Sequence, residues 1–259
     1  MPVAANLYYY AFDGGSLESP PIVLIHGAGG THLSWPPEIR RLTGYRVYAI
    51  DLPGHGKSSG YGQQTIEFYT EGLESWLDSI RLHRAVFVGY SMGGAIALTL
   101  ALRFPEHVAG LGLIATAARL KVEPDILRDI ASPTTFIKGV QAIVNASFSP
   151  TADPRTVELA AKKMAETRPT VLYGDLLASS SFDVTEDIVK IRTPTLVLCG
   201  SDDRITPLRN SQFLAGTISG AALDVISHAG HMVVLEQPQT TAQALRNFMQ
   251  CINHRPGQE

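Results

Sequence analysis

The sequence predicts an α/β protein with a mostly parallel central sheet, flanking helices and a small helical cap. Three observations carry this reading. Short, almost unbroken apolar runs recur at residues 22–25, 85–88, 108–115 and 194–199, as strands buried on both faces require. Helix-spaced segments separate most of them, and strands that alternate with helices assemble into parallel sheets. Glycine- or aspartate-dense loops follow the strands, at 26–30, 51–58, 89–94 and 200–207. Ligand sites in such sheets lie at these carboxyl ends.

The elements follow in order along the chain. Residues 7–12 are aromatic-rich and strand-like, and 13–15 form a turn. Residues 19–21 are a loop before the strand at 22–25. Residues 35–42 fit a helix, with Pro36 and Pro37 in its first turn. A strand at 46–50 precedes an amphipathic helix at 65–80, where Ile66, Tyr69, Leu73, Trp76, Leu77 and Ile80 share one face. After the strand at 85–88 comes an Ala- and Leu-rich helix at 95–102, stopped by Pro105, and the strand at 108–115. The pattern then changes. From 118 to 188 no strand run stands out, and helical segments at 124–131, 134–148, 154–167 and 169–180 are separated by Pro and Ser. This divides the chain into a core, 1–117 and 189–259, and a helical cap, 118–188. The core resumes with a strand at 194–199, a helix at 208–214, a strand at 223–226 and a helix at 237–252. The tail from 253 is expected to fray.

The 259 residues have room for one α/β domain with an insertion. The 45% apolar content supports a large core. A net charge of −3, with scattered Lys and Arg, removes the electrostatic case for nucleic acid or an anionic membrane. Cys199 ends an apolar run and reads as a buried small hydrophobe. With Cys251 the only other cysteine, neither a disulfide framework nor a CxxC metal site is implied. Gly27-Ala28-Gly29 lacks the third glycine and the partner acid of a dinucleotide loop. The expectation is no metal and no organic cofactor. The N-terminus lacks the basic region and apolar core of a signal peptide. The uncharged stretch at 89–102 is too short to span a bilayer. A soluble, cytoplasmic protein is therefore expected, and the sequence sets no oligomeric state.

Gly89-Tyr90-Ser91-Met92-Gly93-Gly94 carries the chemistry. A serine in G-x-S-x-G between strand and helix sits on a sharp, strained turn with its hydroxyl exposed. Small neighbours are needed because strand and helix backbones approach closely there. The helix N-terminus favours developing negative charge. A serine hydroxyl needs a base to take its proton and an acid to orient that base. On this architecture the chain order is Ser, then Asp or Glu, then His. That order removes His26, His32, His55 and His83. His107 is too early to follow a strand-end acid, and His254 is in the tail. His231 lies between a strand and the last helix, beside Gly230. His228, two residues past the strand, reads as a polar strand-end residue. The acid should follow the strand at 194–199, where Asp202 and Asp203 compete.

Five stretches carry a family resemblance: HGAGG at 26–30, DLPGHGKS at 51–58, GYSMGG at 89–94, GSDDRITP at 200–207 and AGHMVVLEQP at 229–238. In type and order they resemble the α/β-hydrolase fold superfamily, in its small serine-hydrolase branch of carboxylesterase and enol-lactonase type. The resemblance spans nearly the whole chain. It implies a catalytic set of Ser91, Asp203 and His231, because the family's acid stands three residues after the strand-end glycine. It also implies an oxyanion hole of two backbone N–H groups, those of Met92 and Ala28. His26 and His55 resemble the family's structural histidines, which brace loops. Asp51 and Lys57 are expected as loop or surface residues. The leading hairpin is short here.

The expected activity is hydrolysis of carboxylic esters of short to medium acyl chain through an acyl-enzyme. An enol-lactone is the nearest alternative substrate. Carbon–carbon bond hydrolases of meta-cleavage products resemble the chain too, but many place Trp after the catalytic histidine, where this chain has Met232. A ligand receptor on the same fold is the non-enzymatic alternative. Trp35, Met232 and Val233 adjoin the motifs and are candidates to line the substrate pocket. Phe136 and Val144 are candidates from the cap.

Overall fold

The computed structural model describes residues 2–15 and 19–253. Eight strands form one sheet: β1 (Val3–Ala4), β2 (Leu7–Asp13), β3 (Ile22–Ile25), β4 (Arg46–Ile50), β5 (Ala85–Tyr90), β6 (Val108–Ile114), β7 (Thr195–Gly200) and β8 (Ala222–Ile226). Their spatial order is β1-β2-β4-β3-β5-β6-β7-β8. β2 runs antiparallel to β1 and β4, and every later pairing is parallel. β3, β5, β6 and β7 are buried at every residue, because helices cover both faces. β8 is the edge, and only Ile226 in it is buried.

One face packs against α2 (Ile66–Ser79), α3 (Met92–Arg103) and α8 (Leu208–Thr217). α2 begins where Thr65 accepts the Phe68 N–H, an N-cap that satisfies an orphan donor. It buries Tyr69, Leu73, Trp76 and Leu77 into the sheet. The other face packs against α1 (Pro37–Arg40), α9 (Val233–Glu236) and α10 (Pro238–Asn253).

Proline shortens two expected helices. The helix expected at 35–42 begins only at Pro37, because Trp35 and Pro36 each precede a proline and take extended backbone, with ψ of 117° and 156°. The helix expected at 237–252 begins at Pro238, and a separate turn, α9, carries residues 233–236. The expected frayed tail lies largely outside the described residues.

Between β6 and β7 the chain forms α4 (Pro124–Ala131), α5 (Phe136–Ser147), α6 (Pro154–Ala165) and α7 (Pro169–Ser181). These helices share an apolar cluster of their own, with Ile130, Val140, Val144 and Leu172 at its centre. The two ends of the segment are tied together. Leu120 N–H donates to Phe182 O at 3.3 Å and Val184 N–H to Ala118 O at 2.8 Å. Arg119 pairs with Asp183 across this neck. Among the described residues, no helix is long and apolar enough to cross a membrane.

Candidate active site

β5 ends at Tyr90 and α3 starts at Met92, so one residue turns the chain. That residue, Ser91, has φ 54° and ψ −117°, a conformation non-glycine residues hold only when their surroundings impose it. Main-chain bonds impose it here. Ser91 N–H donates to Ile114 O at 2.9 Å, and Ser91 O accepts from Gly94 N–H at 2.9 Å and Thr116 Oγ1 at 2.8 Å. A Cβ on Gly89 would overlap the Gly93 carbonyl, and one on Gly93 would overlap the Ile25 carbonyl. The small neighbours of G-x-S-x-G are thus set by backbone contact between strand, helix and β3.

Two loops at the carboxyl ends of neighbouring strands meet this serine. His231 follows β8, and its Nε2 lies 2.9 Å from Ser91 Oγ. Asp203 follows β7, and its Oδ2 lies 3.0 Å from His231 Nδ1. The carboxylate only accepts, so Nδ1 carries the ring proton and the Nε2 lone pair faces the hydroxyl. Asp203 is tied down on its other side, where Oδ1 accepts the N–H groups of Ile205 (2.9 Å) and Thr206 (2.8 Å). Thr206 Oγ1 donates to Oδ2 at 2.8 Å. Burial pushes the Asp203 carboxyl up, but the His231 ring and the Thr206 donors outweigh it and hold the group below the usual carboxylate range. Asp202 instead faces Ser201, and exposed His228 only offers its N–H to Ser201 Oγ.

Glu236, at the end of α9, belongs to the 229–238 stretch but is given no role by the sequence reading. It accepts Gly230 N–H at 2.8 Å and Ser149 N–H at 3.0 Å, and so braces the His231 loop against the end of α5.

Met92 is the first residue of α3, so its N–H is among those a helix leaves without an intrahelical partner. Ala28 is half-buried in the loop after β3. A cavity of about 660 Å³ opens over this loop, lined by Ala28, Tyr90, Leu159, Met164, Met232 and Leu235 among others. Of the residues named from the sequence as pocket candidates, Met232 is among those lining this cavity. Trp35, Phe136, Val144 and Val233 do not line it. Trp35 and Val233 are buried under the sheet, and Phe136 and Val144 fill the interior of the α4–α7 cluster. Each is apolar on an amphipathic element, and packing between layers claims such side chains before a cavity does.

Beneath the Ala28 loop lies a cluster of acids and imidazoles. Asp51, expected as a loop or surface residue, is fully buried. It accepts His32 N–H at 2.6 Å and Lys57 N–H at 2.9 Å, and lies 2.8 Å from His32 Nδ1. Lys57 is exposed. Leu52 N–H donates to His26 Nε2 at 3.1 Å, so His26 Nδ1 bears the proton and donates to Gly27 O at 2.8 Å. His55 Nδ1 donates to Pro53 O at 3.1 Å, and its Nε2 donates to Asp175 Oδ2 at 2.8 Å. Asp175, a fully buried carboxylate in α7, also accepts the Tyr69 hydroxyl and the Gly29 N–H. No motif marks it in the sequence, although it is the only charged residue in α7.

This cluster predicts a pH effect on stability. Burial, and then the neighbouring His55, push His26 from 6.5 down to about 4. Between those values the unfolded chain binds the extra proton, so stability falls as pH is lowered through that window. The full cost is about 3 kcal/mol. His55 acts oppositely. Burial disfavours its charge, but Asp175 outweighs burial and holds its pKa above the ordinary value. Its contribution is complete below the ordinary value of 6.5 and is lost as pH rises through the folded pKa. Urea midpoints should therefore drop from pH 6.5 to pH 4, and His26→Asn should flatten the drop. Equal wild-type and variant slopes would exclude His26 as the cause.

Among the described residues, Glu74, Asp78 and His107 bring possible ligand atoms together. They lie on α2 and the turn after α3, and His107 Nδ1 already donates to His83 O.

Known proteins place the chain. The model of the alpha/beta hydrolase family matches residues 22–244. A pimeloyl-[acyl-carrier protein] methyl ester esterase from Sodalis glossinidius is 31% identical, over 88% of this chain and 93% of the relative. The 3-oxoadipate enol-lactonase 1 of Acinetobacter baylyi is 28% identical, over 92% and 91%. Among solved structures, a thermophilic esterase from Thermogutta terrifontis superimposes with a TM-score of 0.85 at 26% identity, covering 95% of this chain and 94% of that one. The strained serine turn, the strand order and the extent of these matches agree, and the chain belongs to the α/β-hydrolase family.

Proposed function

We propose that the protein hydrolyses carboxylic esters of short to medium acyl chain by acyl transfer to Ser91. The observation that carries this reading is the continuous line from Ser91 Oγ to His231 Nε2 (2.9 Å) and from His231 Nδ1 to Asp203 Oδ2 (3.0 Å). Ser91 Oγ attacks the ester carbonyl carbon while His231 Nε2 takes its proton. Asp203 stabilises the imidazolium without taking a proton. The N–H groups of Met92 and Ala28 receive the oxyanion, each contributing about 3 kcal/mol to the transition state. The tetrahedral species collapses, and His231 protonates the departing alkoxide. Water then attacks the acyl-enzyme with His231 again as base. The carboxylic acid leaves and Ser91 is restored.

The cavity adjoins the candidate site through Ala28, Tyr90 and Met232, and α6 contributes Leu159 and Met164 to it, which supports reading the helical segment as a cap over the substrate. The test is a p-nitrophenyl ester panel with an enol-lactone and a dienone meta-cleavage product beside it. Turnover should peak at short to medium acyl chains, and a fluorophosphonate should label one serine and stop the reaction. A peak at long chains would overturn the chain-length reading, and labelling without turnover would indicate a ligand receptor. The lactone is kept as a second substrate because of the Acinetobacter baylyi relative.

A further inference from the structure

Gly29 is held from both sides by the helical segment. Its N–H donates to Asp175 Oδ2 in α7 at 2.8 Å, and its carbonyl accepts Thr167 Oγ1 at 2.8 Å. Gly27 is held from the core. Its carbonyl accepts Gly30 N–H at 3.1 Å and His26 Nδ1 at 2.8 Å. A trans peptide points its N–H away from its carbonyl. Fixing the Gly27 carbonyl therefore fixes the direction of the Ala28 N–H. Fixing the Gly29 N–H stops the next peptide from rotating and carrying Ala28 with it. The segment Gly27-Ala28-Gly29-Gly30 has little stiffness of its own, and Gly29 sits at φ 65°. Its shape must come from outside partners.

The chemistry assigned to Ser91, His231 and Asp203 does not use Asp175. Yet this carboxylate is fully buried, and it gathers donors from three distant parts of the chain: Gly29, His55 and Tyr69. Burying a charge is costly unless it is fully paired. Here both oxygens are engaged, and one of them takes the Gly29 N–H.

We propose that Asp175, assisted by Thr167, is a positioning residue that locks the 27–29 backbone with the Ala28 N–H turned to the oxyanion. The helical segment is then part of the catalytic device as well as a wall of the cavity. This rests on the oxyanion role given to Ala28 above.

The test uses p-nitrophenyl acetate and a trifluoromethyl ketone, which Ser91 converts to an oxyanionic adduct. Asp175→Ala, which removes both oxygens and with them the Gly29 bond, should lower kcat by about 100-fold, with little change in KM, and raise the ketone Ki by a similar factor. Thr167→Val, at a half-buried loop position, carries the same test outside the buried cluster and should lower kcat about fivefold with a matching rise in Ki. Tyr69→Phe removes one Asp175 partner but leaves the Gly29 bond, so kcat should stay within about threefold even if the melting temperature falls. The proposal is overturned if folded D175A and T167V keep the wild-type Ki, or if Y69F loses as much kcat as D175A. A wild type that the ketone does not inhibit would instead sink the Ser91 reading itself.

Discussion

Ser91→Ala should lower kcat on p-nitrophenyl acetate by about a millionfold while leaving the melting temperature nearly unchanged. The two halves have separate causes. Alanine removes the hydroxyl that lies 2.9 Å from His231 Nε2, and with it the nucleophile proposed above. The strained turn, however, is held through main-chain atoms. Ile114 O, Gly94 N–H and Thr116 Oγ1 all bond to the Ser91 backbone, and the Ser91 side chain caps nothing in α3. Alanine keeps all three bonds and adds no atom. Stability should therefore shift by less than about 1 kcal/mol. Kinetics on purified variant, with a melting curve beside them, separate the two effects. Residual hydrolysis at a tenth of the wild-type rate would remove Ser91 from the chemistry.

Asp203→Asn should cost about four orders of magnitude in kcat, through a change of tautomer rather than a loss of shape. The reason lies in where each carboxylate oxygen points. Oδ1 accepts two backbone N–H groups, from Ile205 and Thr206. An asparagine will keep its oxygen there, because an NH₂ group facing two donors would be unsatisfied. Its nitrogen then occupies the Oδ2 place and donates to His231 Nδ1. The ring proton moves to Nε2, which can no longer accept the Ser91 proton. The neighbouring Asp202→Asn is the control. Asp202 accepts only from Ser201, so this variant should keep kcat within about threefold. If the two variants fell equally, the position of the acid would be wrong.

Much of the fold is legible in the sequence because a short, unbroken apolar run bounded by turn residues fits little besides a strand buried on both faces. The runs at 22–25 and 46–50 match β3 and β4 residue for residue. The errors cluster where proline acts on the residue before it, at Trp35, Pro36 and Gln237, and where α9 and α10 divide. Around the serine, chain order and strand ends bring forward Ser91, His231 and the competing pair Asp202 and Asp203, and the family resemblance selects Asp203; the structure holds Ser91, His231 and Asp203 within hydrogen-bonding distance. Asp175 is less legible because its partners are remote: it meets Gly29 from 146 positions away and His55 from 120. No local period reports such a contact. A lone charge in the otherwise uncharged α7 is the available signal. The pocket is also hard to read, because an apolar residue on an amphipathic helix looks the same whether it fills a core or faces a ligand.

The neck at 118–120 and 182–184 gives α4–α7 the properties of an exchangeable cassette. Its ends meet through Leu120–Phe182 and Val184–Ala118 bonds, so the rest of the chain sees a short closed junction whatever length lies beyond it. Extra length in a closed loop adds only about 0.6 kcal/mol per doubling. Recombination at this junction could therefore exchange the proposed cap for another without disturbing β6 or β7. The latch on Gly29 limits that freedom. A transplanted cassette that brought a new wall but no carboxylate in place of Asp175, and no hydroxyl in place of Thr167, would bind its ligand over a serine whose proposed oxyanion donor is no longer held. Grafts of this kind should be ranked first by whether they carry the latch, and only then by the shape of the wall.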